Sequence, residues 1–275
     1  MTVINTNTSA LRAQNASRLA DNNLNTAMTR LSSGKSINSA SDNAAGLAIS
    51  SSMTAQINGM NQAISNANDG VSLAQTADGA LGEVTNMVQR VNQLAVQSAN
   101  GTYQASDRTD MNTEVKQLQA QIKQVIGGTN FNGKALFSST TSTSFKIQTG
   151  ATNATATDQV TISIGSLSTL GKVVSSLSVS TSTAALAALS TISAALTSVN
   201  TVRAGLGASE SRLNSVVNNL TTNVTNLSDA RSRIQDTDYS SETTNLARSQ
   251  ILSQASTAML AQANQSQQNV LSLLK

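Results

Sequence analysis

Small and apolar residues recur along this chain at helical spacing, and most sharply near its end. Leu252, Ala255, Met259, Ala263, Ser266, Val270 and Leu274 step by 3, 4, 4, 3, 4 and 4, so Leu252, Ala263 and Leu274 stand eleven residues apart. That period keeps one narrow stripe on one side of a nearly straight helix. Near the start, from Thr8, the residues Ala13, Ala16, Ala20, Leu24, Ala27 and Leu31 repeat the habit with steps of 3, 4, 4, 3 and 4. Neither stripe has local cover, and a lone helix of this kind is marginal in water. The spacing therefore predicts two end helices that pair along matching seams.

Between the ends the pattern predicts a longer framework. Ser32 to Ser41 is a polar, Gly-containing break, with Ser41 or Asp42 placed to cap the next helix. Helical spacing then runs from Ala44 to about Ala99: Ile57, Met60, Ile64, Ala67, Val71 and Ala74, a shift of phase, then Ala77, Leu81, Val84, Val88, Val91 and Ala95. A helix this long indicates a coiled coil or bundle. Asn100-Gly101 reads as its left-handed cap. A helix over 106–126 turns Met111, Val115, Leu118, Ile122 and Val125 inward, antiparallel to the first. Phe145 and Ile147, then Val160, Ile162 and Ile164, alternate with polar residues as two half-buried strands, joined by a loop from Gly150 to Asp158. From Ser138 to Thr183, 23 of 46 residues are Ser or Thr, so the rest of this stretch is expected to be exposed. Helical spacing returns over 184–234, and Gln235 to Ser241 mirrors the first polar break. The fold class expected is mainly α: a long antiparallel coiled-coil or helical-bundle rod built from both chain ends, with small β-hairpins in the middle.

Composition removes most chemistry. Aromatic residues are only 2% of the chain, against 39% hydrophobic, so Leu, Val, Ile, Met and Ala must pack thin bundles rather than a thick core. There is no Pro to interrupt a helix. Cys and His are both absent, which removes thiol nucleophiles, imidazole bases, disulfides and most metal ligation. Charged residues are 11% and form no paired cluster, so no catalytic, cofactor or metal residues are assigned. The net charge of +3 is scattered singly, which argues against a nucleic-acid surface. No run of 18 apolar residues occurs, so no membrane insertion is expected. Met1 to Gln14 lacks a basic region followed by an apolar stretch, so no cleaved Sec-type signal is expected.

Several motifs, in order, name a family. They include INTN at Ile4–Asn7, RLSSGKSINSASDNAAGLAIS at Arg30–Ser50, NANDGVSLAQTADGALGEV at Asn66–Val84 and TNFNGKALF at Thr129–Phe137. Near the end stand RAGLGASESRL at Arg203–Leu213, SRIQDTDYSSET at Ser232–Thr243 and QILSQASTAMLAQANQSQQNVLSLLK at Gln250–Lys275. Over Thr2–Leu136 and from about Ser190 to Lys275 the chain closely resembles bacterial flagellin.

The resemblance implies a self-assembling subunit of the extracellular flagellar filament. Its ends, 1–42 with 235–275, would form an inner coiled coil, and 43–234 a rod domain with helices at about 44–99, 106–126 and 184–234 and a Ser/Thr-rich hairpin region at about 129–183. The assembly seam would comprise Ala13, Ala16, Ala20, Leu24, Leu31, Leu252, Ala255, Met259, Ala263, Val270 and Leu274. Partners implied are further copies of the chain, a flagellar export chaperone at the C-terminal helix, and hook-associated and cap proteins, with export through the flagellar type III channel. The family's recognition segment for Toll-like receptor 5 falls at Met87–Gln97, where Arg90 and Leu94 match and Glu114 stands opposite. The usual Arg-Glu pair of that segment is Asn92-Gln93 here, and the usual Val-Pro near the C-terminus is Ser266-Gln267. The alternative is a hook–filament junction protein of the same superfamily.

Overall fold

The computed structural model describes residues 6–138, 141–150 and 157–272, with side chains to 269. Ile4, Asn5, Leu274, the side chain of Val270 and most of the expected Gly150–Asp158 loop lie outside the described residues. The elements in chain order are α1 (Thr8–Ser33), α2 (Ala44–Ala99), α3 (Ala105–Gly128), β1 (Asn130–Phe131), β2 (Lys134–Ala135), β3 (Thr143–Gln148), β4 (Gln159–Ile164), α4 (Ser168–Ser176), α5 (Ser182–Gln235) and α6 (Tyr239–Ser272). The chain is mainly α with two antiparallel hairpins, and it divides into two compact units, Met1–Ile57 with Thr225–Lys275, and Asn58–Val224.

In the unit Asn58–Val224 the long helices carry seams of strict seven-residue period. On α2 the buried line is Ala67, Gly70, Ala74, Ala77, Leu81, Val84, Val88, Val91, Ala95 and Ser98. On α5 it is Ala185, Ala188, Ile192, Ala195, Val199, Val202, Leu206 and Leu213. A sustained seven-residue period is the left-handed coiled-coil seam. The helices run antiparallel: Ser182 Oγ donates to Ala99 O, and Arg203 holds Asp78 through Nε (2.7 Å) and Nη2 (3.1 Å). The phase shift expected between Ala74 and Ala77 is absent because the seam passes through Gly70, not Val71. A Cβ at Gly70 would stand 3.0 Å from Ile147 Cγ1 and 3.1 Å from Leu213 Cδ1, so the glycine admits the hairpin against the helix.

The end of α2 also differs from expectation. Among the described residues only Gly34, Asn132 and Gly133 have positive φ, so Gly101 is not a left-handed cap. Arg108 does the work instead, donating from Nε to Ser98 O and from Nη2 to Asn100 O, each at 2.8 Å. Asn132-Gly133, both with φ positive, make the two-residue turn of the β1–β2 hairpin. Strands β3 and β4 pair from Thr143↔Ile164 to Gln148↔Gln159, and Val160, Ile162 and Ile164 face the core.

The Ser/Thr-rich stretch is not all exposed. Residues 165–181 contain α4, and Leu167, Leu170, Val173 and Val179 are fully buried. Three buried polar side chains fasten this segment. Gln119 Nε2 donates to Val173 O (2.7 Å) and Leu177 O (2.9 Å), closing the C-terminal end of α4. Asn112 Oδ1 accepts from Val179 N, and Ser98 Oγ donates to Val179 O. Helix α5 holds an 18-residue window of mean hydropathy 1.4, long and apolar enough by composition to cross a membrane, because alanine counts as apolar on that scale. Its Ala185–Ile192–Val199 line packs inside the unit's own core.

Candidate assembly surface

In the other unit α1 packs along α6. Asn7 starts α1: its Oδ1 accepts from Ala10 N at 3.0 Å, and its Nδ2 reaches Ala263 O on α6 at 3.0 Å. Further along, Ser253 Oγ donates to Asp21 Oδ1 (2.8 Å), and Arg30 Nη1 lies 3.9 Å from Glu242 Oε2. Contacts that fall on α6 as they rise on α1 define an antiparallel pair. The two polar breaks are stitched together beyond it, with Ser36 N donating to Gln235 O (2.7 Å) and Thr237 N to Gly34 O (3.0 Å). Gly34, with φ +70, is the left-handed cap of α1. The next helix is capped by Asn43, whose Oδ1 accepts from Gly46 N, rather than by Ser41 or Asp42. Asp42 accepts from Asn38 N and Ser39 N within the break, and those backbone bonds hold its carboxyl below the usual carboxylate range.

The seam between the helices has a seven-residue period, not the eleven read from the apolar stripe. Ala13, Ala20 and Ala27 are buried on α1, with Leu24 half-buried between the last two, Leu31 half-buried beyond them, and Ala16 exposed. On α6 the buried positions are Glu242, Ser249 and Ser256, followed by half-buried Ala263. Serine fills these places because small side chains let two helices approach closely, and size outweighs hydropathy there. The spacing 242–249–256–263 and 13–20–27 was the available signal, and a search for apolar residues alone passes over it.

The stripe Leu252, Ala255 and Met259 is displaced to the flank. Leu252 is 48% exposed and Met259 62%, and Ala255 is exposed beside them. With Ala13, Ala16 and Ala263, Ala255 and Met259 line an open apolar groove of about 540 Å³ along the pair. Leu11, Leu19, Met28 and Ile251 are also exposed by half or more. Leu11, Leu19, Met28, Ile251, Leu252 and Met259 thus point away from the seam the helices share, while Leu24, Leu31, Leu246 and Leu260 are half-buried beside it.

The expected receptor residues fall in the unit Asn58–Val224. Arg90 Nε bonds Glu114 Oε1 at 2.8 Å between α2 and α3, with both side chains about half exposed. Leu94 is 2% exposed in the core and reaches no surface.

Comparison with known proteins turns this geometry into a family assignment. Residues 4–142 match the model of the bacterial flagellin N-terminal helical region, and residues 189–274 that of the bacterial flagellin C-terminal helical region. The chain belongs to the bacterial flagellins. It is 41% identical over 268 residues to a flagellin of Halalkalibacterium halodurans, an alignment spanning 96% of this chain and 98% of that one. To a flagellin of Bacillus subtilis it is 40% identical, with 99% of each chain covered. To the flagellar filament 33 kDa core protein of Treponema phagedenis it is 39% identical, covering 99% and 100%. The crystal structure of Bacillus cereus flagellin superposes with TM-score 0.51 at 29% identity, covering 61% of this chain and 94% of that one. A Vibrio parahaemolyticus structure provisionally assigned as a flagellar hook-associated protein gives TM-score 0.58 at 15% identity, covering 71% and 100%, and shows the fold alone. As a flagellin the chain is a structural subunit of the flagellar filament outside the cell, and not an enzyme. The residues between the two matched regions, 143–188, hold the β3–β4 hairpin, α4 and about the first two turns of α5.

Proposed function

We propose that the chain polymerises with copies of itself through the α1–α6 pair, and that the filament so formed serves swimming as an external propeller. One observation carries this reading: the pair buries alanine and serine in its own seam and leaves Leu11, Leu19, Met28, Ile251, Leu252 and Met259 turned outward. An ordinary amphipathic pair does the reverse. An alanine–serine seam buries little apolar area, so helices of 26 and 34 residues need further cover to offset their ordering cost. Neighbouring copies supply that cover, and folding of the ends is coupled to assembly. Leu252, Ala255 and Met259 are then contacts between copies rather than within one.

The family likeness supports the remaining partners. An export chaperone covers the apolar flank of α6 before assembly, the chain leaves through the flagellar type III channel, and growth involves hook-associated and cap proteins. Contact with Toll-like receptor 5 is confined to Arg90 and Glu114, and their mutual bond across α2 and α3 favours a packing role for them. The junction-protein alternative rests on likeness of fold alone.

Removing Leu252–Lys275, or substituting both Leu252→Ser and Met259→Ser, tests the proposal under the electron microscope. The expected result is a chain whose Asn58–Val224 unit melts as before but which forms no filaments. Normal filaments from either variant would refute the role given to the flank.

A further inference from the structure

Beside the seam, α1 and α6 enclose a second, polar cavity of about 260 Å³, lined by Asn23, Thr26 and Arg30 from one helix and Glu242, Asn245 and Arg248 from the other. Its charges do not balance. Two guanidinium groups face one carboxylate, and at 3.9 Å the Arg30–Glu242 pair is beyond hydrogen-bond reach. Arg30 Nε is buried and meets no acceptor. Arg248 makes no hydrogen bond or ion pair among the described residues. A buried charged donor without an acceptor is costly to leave so, and a guanidinium fork is shaped to take both oxygens of a carboxylate. Asn23 and Asn245 add neutral amide donors around the same space, while the Thr26 hydroxyl is already given to Asn22 O.

We infer that this cavity receives a carboxylate side chain, Asp or Glu, from a second copy of the chain. The inference rests on the filament reading and adds to it a specified polar contact. A copy is the occupant, rather than a free anion, for two reasons. The cavity opens on the same helix pair whose outward leucines and methionines require a neighbour. The neighbour also brings exposed acids of its own, Glu83, Asp110 and Asp229 among them.

The substitution Arg248→Lys keeps the charge and supplies a primary amine. Filaments assembled from a mixture of ¹⁵N-labelled and unlabelled full-length R248K chains are treated with a water-soluble carbodiimide. The reagent joins an amine to a carboxylate in contact, forming an amide and leaving as its urea. Peptide mass spectrometry is expected to show a cross-link from position 248 to an Asp or Glu, mixed between labelled and unlabelled copies and absent before assembly. No cross-link at 248 in filaments, or one only to Glu242 of the same chain, overturns the inference. Arg248→Gln decides the matter should R248K fail to assemble. It is expected to raise the concentration needed for filaments about tenfold, the loss of one charge-assisted contact. An unchanged concentration overturns the contact, as does stabilisation of the unassembled chain by millimolar phosphate that depends on Arg248 and comes without any cross-link. A wild-type chain that forms no filaments at any concentration sinks the filament reading as well, whereas filaments lacking the cross-link sink this inference alone.

Discussion

Replacing Gln119 by Leu isolates the two bonds that fasten α4. The side chain is buried, and its amide donates to Val173 O in the interior and to Leu177 O in a partly buried site. Leaving a buried carbonyl without its donor costs about 1–3 kcal/mol, and losing the second, partly solvated bond about 0.5–1.5 kcal/mol. Leucine is close in volume, so no cavity opens, and its methyl groups return about 1 kcal/mol of apolar burial. The net loss is about 0.5–3.5 kcal/mol, which at about 2–4 °C per kcal/mol lowers Tm by about 1–14 °C. Hydrogen exchange adds a local readout: amides of α4 and the segment to Val179 should lose protection before the α2–α5 seam does. The exposed neighbour Gln117, changed to Leu, is the control and should stay within about 0.5 kcal/mol. A Q119L protein that melts within about 1 °C of the parent, with α4 equally protected, would refute the claim that these bonds hold the segment.

Other outcomes follow from single positions. A Cβ at Gly79 meets nothing within 4 Å, so Gly79→Ala should stabilise by about 1 kcal/mol through helix propensity, measured by denaturant unfolding. Gly70→Val, pressed against Ile147 and Leu213, should instead destabilise by about 1–3 kcal/mol in the same assay. Asp42 has a folded pKa lowered first by backbone donors at Ser39 and Asn38. Its contribution is therefore fully present above the ordinary carboxylate range and is lost as pH falls through the lowered value. A carboxyl ¹³C titration should place its midpoint below that of an unstructured Asp, and an unshifted midpoint would contradict the loop geometry.

The extents of the long helices were legible in the sequence, and the choice of face was not. Ala44 and Ala99 bound α2 as read, because polar, glycine-containing breaks stand on both sides. The alternation Phe145–Ile147 and Val160–Ile162–Ile164 located β3 and β4 for the usual pleat reason. The seams were misjudged because the residues that fill them are chosen for size: Ser249, Ser256 and Gly70 score as polar or disruptive yet sit in the contact. Helix α4 was hidden by its serines and threonines, although Leu167, Leu170 and Val173 stand three apart. Gln119 and Asn112 stand in seam spacing with Val115 and Ile122, but polar side chains there read as exposed, and their value lies in two carbonyls and an amide more than fifty residues away.

A seam of alanines and serines at every seventh position has little means of knowing its own register. Sliding α1 along α6 by one repeat, about 10 Å at the helical rise, again sets Ala13, Ala20 and Ala27 among the small residues Ser249, Ser256 and Ala263, and only Glu242 of the α6 seam breaks the likeness. The pair resembles a rack with equal teeth, and its packing energy is nearly the same in each notch. Selection of one notch falls to the features that do not repeat: Asn7 on Ala263, Asp21 on Ser253, Arg30 facing Glu242, and the bridge of Ser36 to Gln235. The few polar clasps along the pair act as the ruler of a structure whose cohesion comes from elsewhere.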